Sequence, residues 1–156
     1  MASRTWLENQ AVSTFGRVWG KDRLTVLAYH RIHSPSGFEF FEPVISASPD
    51  GFARQMDFVA ERFNAVSLAD VVSWLDGNGS LPSNPALITF DDGYRDNWTE
   101  ALPVLKQFGL PATFFVATGY LNGGRMWNDT LLGIIRNWPE ESIDLRDWGI
   151  PLIRMV

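Results

Sequence analysis

Ala86-Leu87-Ile88-Thr89-Phe90-Asp91-Asp92-Gly93 decides how this chain is read. Five residues without a formal charge, rich in apolar and β-branched side chains, run straight into two adjacent carboxylates and a glycine. A short continuous apolar run bounded by turn residues predicts a buried strand. In parallel β/α folds the reactive residues gather at the carboxyl ends of strands, where Asp91 and Asp92 stand. Neighbouring residues of a strand point to opposite faces. Two adjacent carboxylates can therefore share one site only if the strand has ended, and Gly93 permits the change of direction. One carboxylate is then free to hold a metal and the other to take a proton from metal-bound water. A lone Asp-Asp-Gly after a strand is more often a polar turn or a helix cap, so the surrounding sequence has to decide.

Upstream, residues 24–29 (LTVLAY) predict another buried strand, followed by His30-Arg31 and a long loop over residues 31–48 rich in Ser, Pro, Gly and Phe. A helix is expected from Ser48, with Pro49 in its first turn and Phe52, Met56, Val59, Ala60 and Phe63 on one face. Ser67 is a plausible N-cap for a second helix over residues 68–75. Downstream, Asn97 can cap a third helix reaching about Phe108, with Gly109 as terminator. Pro103 inside it predicts a kink or a late start. Residues 112–117 (ATFFVA) predict a third strand, and Asn128 or Asp129 opens a fourth helix to about Asn137. Strands alternating with helices predict an α/β fold with a parallel sheet covered by helices.

Several of these blocks, in this order, closely resemble the polysaccharide deacetylase (NodB-homology, carbohydrate esterase family 4) family. They are Ile88 to Tyr94, the helix with Leu102-Pro103-Val104-Leu105, and Gly109-Leu110-Pro111-Ala112-Thr113-Phe114-Phe115-Val116. Tyr29-His30-Arg31 after a strand resembles one large branch of it. The resemblance implies a partial distorted β/α barrel, incomplete at its C-terminal end, with residues 24–156 as a truncated deacetylase-like domain. The spacing of Trp6, Leu7, Val12, Phe15, Val18 and Trp19 predicts an N-terminal helical extension over residues 1–23. The resemblance also implies removal of N-acetyl groups from amino-sugar polymers, with Asp91 as general base, Asp92 as metal ligand, and zinc or another divalent cation as cofactor in the complete protein. An N-acetylated polysaccharide or oligosaccharide is the expected partner.

The family's metal is completed by a downstream His-x-x-x-His pair. This chain has two histidines, His30 and His33, and both lie upstream of Asp91. The expectation is an isolated chain that binds no metal and is inactive. The alternatives are a non-catalytic saccharide-binding relative of the same fold and an unrelated phosphotransferase using an aspartate nucleophile. The latter usually shows Asp-x-Asp, which is absent here. His30 either lines the site, reaching substrate or Asp91, or is an ordinary loop histidine. His33 reads as the ordinary kind. Tyr94 and Trp127 are the aromatic residues placed to stack on sugar, although core packing is the commoner use of such rings. Arg95 and Asp96 orient Asp91 or form a solvated turn.

Composition excludes other classes. The net charge of −5, with no basic run, argues against nucleic acid and anionic membrane. Absence of cysteine excludes disulfides and thiolate chemistry. No stretch reaches the length of a membrane span and no signal-peptide core is evident, so the expected location is the cytoplasm or a peripheral membrane face. A partial barrel leaves unpaired strand edges, from which self-association is expected.

Overall fold

A computed structural model describes residues 23–36 and 45–154. The N-terminal extension expected over residues 1–23 falls almost wholly outside them, as does the middle of the long loop. The central element is strand β5 (Pro85–Phe90), and each of its six residues is buried. It pairs in parallel with β1 (Thr25–Tyr29) along one edge, in register from Thr25 opposite Ala86 to Tyr29 opposite Phe90. Its other edge is shared. β4 (Asn64–Ala65) lies beside Pro85 and Ala86, and β6 (Thr113–Phe114) beside Thr89 and Phe90, both in parallel. A small separate pair joins β2 (Arg31–Ile32) to β3 (Ile45–Ala47).

Local sequence explains the helices. Helix α1 (Pro49–Arg62) starts where Ser48 accepts a hydrogen bond from the Gly51 N–H, and Pro49 occupies a first-turn position where no N–H is needed. Helix α2 (Leu68–Leu75) carries a complete capping box. Ser67 Oγ accepts from the Asp70 N–H, and the Asp70 carboxylate accepts from the Ser67 N–H. Helix α3 (Leu102–Phe108) ends at Gly109 in the left-handed conformation, with the Leu110 N–H returning to the Leu105 carbonyl. Its start is late, as Pro103 predicts. Residues Asn97–Ala101 form a π-helical turn first, and regular α-helix begins at Leu102.

One face of the sheet meets α1 and α3. Phe52 and Met56 of α1, Leu105 of α3, Ile88 and Phe90 of β5 and Tyr29 of β1 make the principal core. The Phe52 ring stands edge-on to Tyr29 and to Phe90, with centroids 5.1 and 5.7 Å away. A second cluster of Val66, Val71 and Leu87 forms under α2. β1 is buried less completely than its apolar sequence predicts. Leu27 and Tyr29 face the core, whereas Val26 and Ala28 on the opposite face are exposed. A period of two means that a strand covered on one face buries only every second residue.

β6 is also shorter than the run 112–117. Its partner β5 ends at Phe90, and Asp92 turns the chain away with φ of 72°. The register survives only as two isolated bonds, Phe115 N–H to Phe90 O at 2.8 Å and Ala117 N–H to Asp92 O at 3.2 Å. Beyond it come helix α4 (Trp127–Arg136) and an antiparallel pair, β7 (Ser142–Ile143) with β8 (Ile153–Arg154). Among the described residues no helix is long and apolar enough to cross a membrane.

Candidate active site

The two aspartates leave β5 in different ways. Asp91 still belongs to the ladder, because its N–H donates to the Tyr29 carbonyl at 2.8 Å. Asp92 breaks it. Asp92 and Gly93 are consecutive left-handed residues, with φ of 72° and 74°. That conformation costs an ordinary residue roughly 1–2 kcal/mol and is tolerated best by Asn, Asp and Gly. A side chain at Gly93 would also bring its Cβ within 3.0 Å of the Val116 side chain. The turn thus undoes the strand alternation, and both carboxylates line one open cleft of about 430 Å³. His30, Phe115, Val116 and Ala117 complete its lining.

His30 follows β1 as Asp91 follows β5, so the 29/90 register sets the two side by side. His30 Nε2 lies 3.9 Å from Asp91 Oδ2, with the side chains 53% and 39% exposed. This is beyond hydrogen-bond length but within reach of a shared water or substrate group. His33 stands apart and its Nδ1 contacts the Ser34 carbonyl at 2.7 Å. The sequence left His30 open between site and loop; the structure puts it in the cleft.

Tyr94 and Trp127 are not among the cleft-lining residues. One face of the Tyr94 ring is covered by the Arg31 guanidinium, 4.1 Å from the centroid, and its hydroxyl accepts from Asn128 Nδ2 at 3.4 Å. Burial pushes the Tyr94 hydroxyl above its usual range; the Asn128 hydrogen bond and Arg31 oppose this, while Asp129 and Asp92 add to it. Trp127 opens α4 and is 71% exposed. Asn128 and Asp129 lie in the first turn of that helix and do not cap it.

Asp96 was readable as an orienter of Asp91 or as part of a solvated turn, and it is neither. It is buried and accepts from Arg31 Nε at 2.6 Å. Asn97 makes no cap bond. Its Nδ2 donates to the His30 carbonyl at 2.8 Å.

A catalytic zinc ordinarily takes three protein ligands. Among the described residues no group of three or more His, Cys, Asp or Glu side chains is arranged to hold a metal ion. Asp92 with its neighbours is therefore an insufficient donor set, and the residues present do not fit the cation that the resemblance implies.

With fold and cleft defined, residues 78–149 match the polysaccharide deacetylase family. Over that stretch, a little under half of its length, the chain resembles members of the family. It is similar to Bacillus subtilis (strain 168) YxkH, named for polysaccharide deacetylation, at 63% identity over 95 residues, 60% of this chain and 32% of that protein. A poly-β-1,6-N-acetyl-D-glucosamine N-deacetylase of Staphylococcus epidermidis is 25% identical over 122 residues, 72% of this chain and 42% of the relative. Among solved structures, IcaB from Ammonifex degensii aligns with a TM-score of 0.58 at 33% identity, over 70% of this chain and 43% of that one. Streptococcus pyogenes deacetylase PplD, in complex with acetate, aligns at 0.54 and 29%, over 64% and 45%. The chain thus spans less than half the length of each of these proteins.

Proposed function

We propose that the chain carries the proton-transfer half of a carbohydrate N-deacetylase site acting on acetamido groups of an N-acetylated polysaccharide or oligosaccharide. The observation that carries this reading is the convergence of Asp91, Asp92 and His30 on one open cleft at the ends of β1 and β5. The match of residues 78–149 to the family supports the substrate class, as do the acetylated glucosamine polymer in the name of the Staphylococcus relative and the acetate in complex with PplD.

The chemistry is amide hydrolysis. Water adds to the acetyl carbonyl carbon as Asp91 takes its proton. The tetrahedral adduct then collapses with cleavage of the C–N bond. A proton delivered from His30 to the departing nitrogen releases free amine, and the acyl group leaves as acetate. Asp91 and His30 stand side by side in one open cleft, 3.9 Å apart, near enough to act on the same substrate group. Asp92 is this chain's contribution to a metal whose other ligands the described residues do not supply. Trp127, exposed at the start of α4, is the proposed stacking surface for a sugar ring. Tyr94 retains at most one open face for that purpose.

A non-catalytic saccharide-binding role is the second reading, and the lack of a three-ligand cluster among the described residues is in keeping with it. The site assignment is tested by titrating the chain with N-acetylglucosamine oligomers while following backbone amide shifts and acetate. Shifts at His30, Asp91, Asp92 and residues 115–117 without acetate are expected of the isolated chain. Acetate release that Asp91→Asn abolishes would establish a complete enzyme. Shifts absent from the cleft would refute the reading.

A further inference from the structure

We infer that Arg31, Asp96 and Asn97 form a positioning bracket that fixes His30 opposite Asp91; this rests on the role proposed for His30 above. The His30 imidazole is half exposed, and its 3.9 Å approach to Asp91 is too long to hold it. Its place is set through the backbone. The His30 N–H donates to Ser46 Oγ at 2.9 Å, and the His30 carbonyl accepts from Asn97 Nδ2 at 2.8 Å. β1 has ended, and the ladder bond on this side is taken by Asp91 N–H to Tyr29 O. Side chains therefore do for His30 what the sheet does for Tyr29.

Asn97 is itself held. Its Nδ2 also lies 3.3 Å from Asp96 Oδ1, and the other Asp96 oxygen accepts from Arg31 Nε at 2.6 Å. Arg31 follows His30 directly, so the contacts close a ring: His30, Arg31, Asp96, Asn97 and back to His30. Two adjacent pairs of residues, far apart in sequence, are cross-linked twice. Tyr94 forms the floor under the guanidinium. Asp96 and Asn97 are 5% and 3% exposed. Burying a carboxylate and an amide is unfavourable unless they are paired, and a buried ion pair is often no more stabilising than an apolar pair of similar volume. Stability alone is a weak reason for this arrangement. Fixing the rim of the cleft, three residues beyond Gly93, is a stronger one.

The test needs no catalysis, so its result stands whether or not the chain deacetylates anything. The chain has two histidines, which makes His33 an internal control for imidazole ring signals in NMR at fixed pH. In the parent, Asp91→Asn is expected to move the His30 ring signals and leave those of His33 in place. In Arg31→Met/Asp96→Leu, which replaces the pair with apolar groups, and separately in Asn97→Ala, the response to Asp91→Asn should fall by at least about threefold, because the field of a charge weakens with distance and solvent access. The β5 amide pattern monitors the fold in each. A folded variant whose His30 signals respond to Asp91→Asn as strongly as the parent would overturn the bracket. No response in the parent would overturn it too, by removing the His30–Asp91 contact.

Discussion

Residues 23–117 and residues 118–154 are both rich in large apolar side chains, yet they use them differently. In the first region Phe52, Met56, Ile88 and Phe90 are fully enclosed between one face of the sheet and α1 and α3. In the second, Asp129 is the one described residue that is buried, while Leu131, Ile134, Trp148, Leu152 and Ile153 are all exposed. Helix α4 has a regular amphipathic sequence, as α1 does. What differs is a surface to bury against. Periodicity states which face of a helix seeks cover, and tertiary structure decides whether cover exists. The cleft lined by His30, Asp91 and Asp92 stands on the rim of the well-packed region.

The sharpest way to break this contrast is Phe52→Ala. Its ring touches Tyr29 and Phe90 in the core, and its removal should cost about 3–5 kcal/mol in chemical denaturation. A loss below roughly 1 kcal/mol would show that the first region is loosely packed. Alkaline pH probes the same core. Burial pushes the Tyr29 hydroxyl up to about 12. Its folded value exceeds its unfolded one, so its contribution is complete below the unfolded value near 10. It is lost as pH rises through the folded value. Stability should fall between those limits by at most about 1.4 kcal/mol per pH unit, and Tyr29→Phe should flatten the decline.

Exposure of α4 makes the opposite forecast. Leu131→Glu/Ile134→Glu should leave unfolding stability nearly unchanged and weaken any self-association seen by sedimentation by about tenfold, by removing apolar area from a contact surface. Lower stability in that pair would mean the α4 face is covered after all. Ser67→Ala, which removes the capping box, should cost about 1 kcal/mol. Trp148→Ala, at 79% exposure, should change stability by less than about 0.5 kcal/mol.

Much of the first region is legible in sequence because its signals are local. Ser48, Ser67 and Gly109 act within four residues of themselves, and the continuous run of β5 reflects burial on both faces. Asp91 and Asp92 are legible for the same reason, standing where an apolar strand stops. The bracket is not. Asp96 and Asn97 read as turn and cap residues, since nothing within four residues reveals that Arg31 and His30, more than sixty positions earlier, are their partners. His30 itself becomes a site residue only through the register of β1 on β5. The face of β1 left open and the shortness of β6 are likewise consequences of which neighbours are present, which apolar content does not encode.

On the proposed function, the chain contributes Asp91, Asp92 and His30 to a deacetylase site whose metal the described residues do not complete. A calorimetric titration of the 156-residue chain with Zn²⁺, repeated on Asp92→Ala, tests it most directly. No binding near micromolar concentration is expected in either protein, because a catalytic zinc needs about three protein ligands. Micromolar binding that disappears in Asp92→Ala would contradict it and show that the chain completes the site itself.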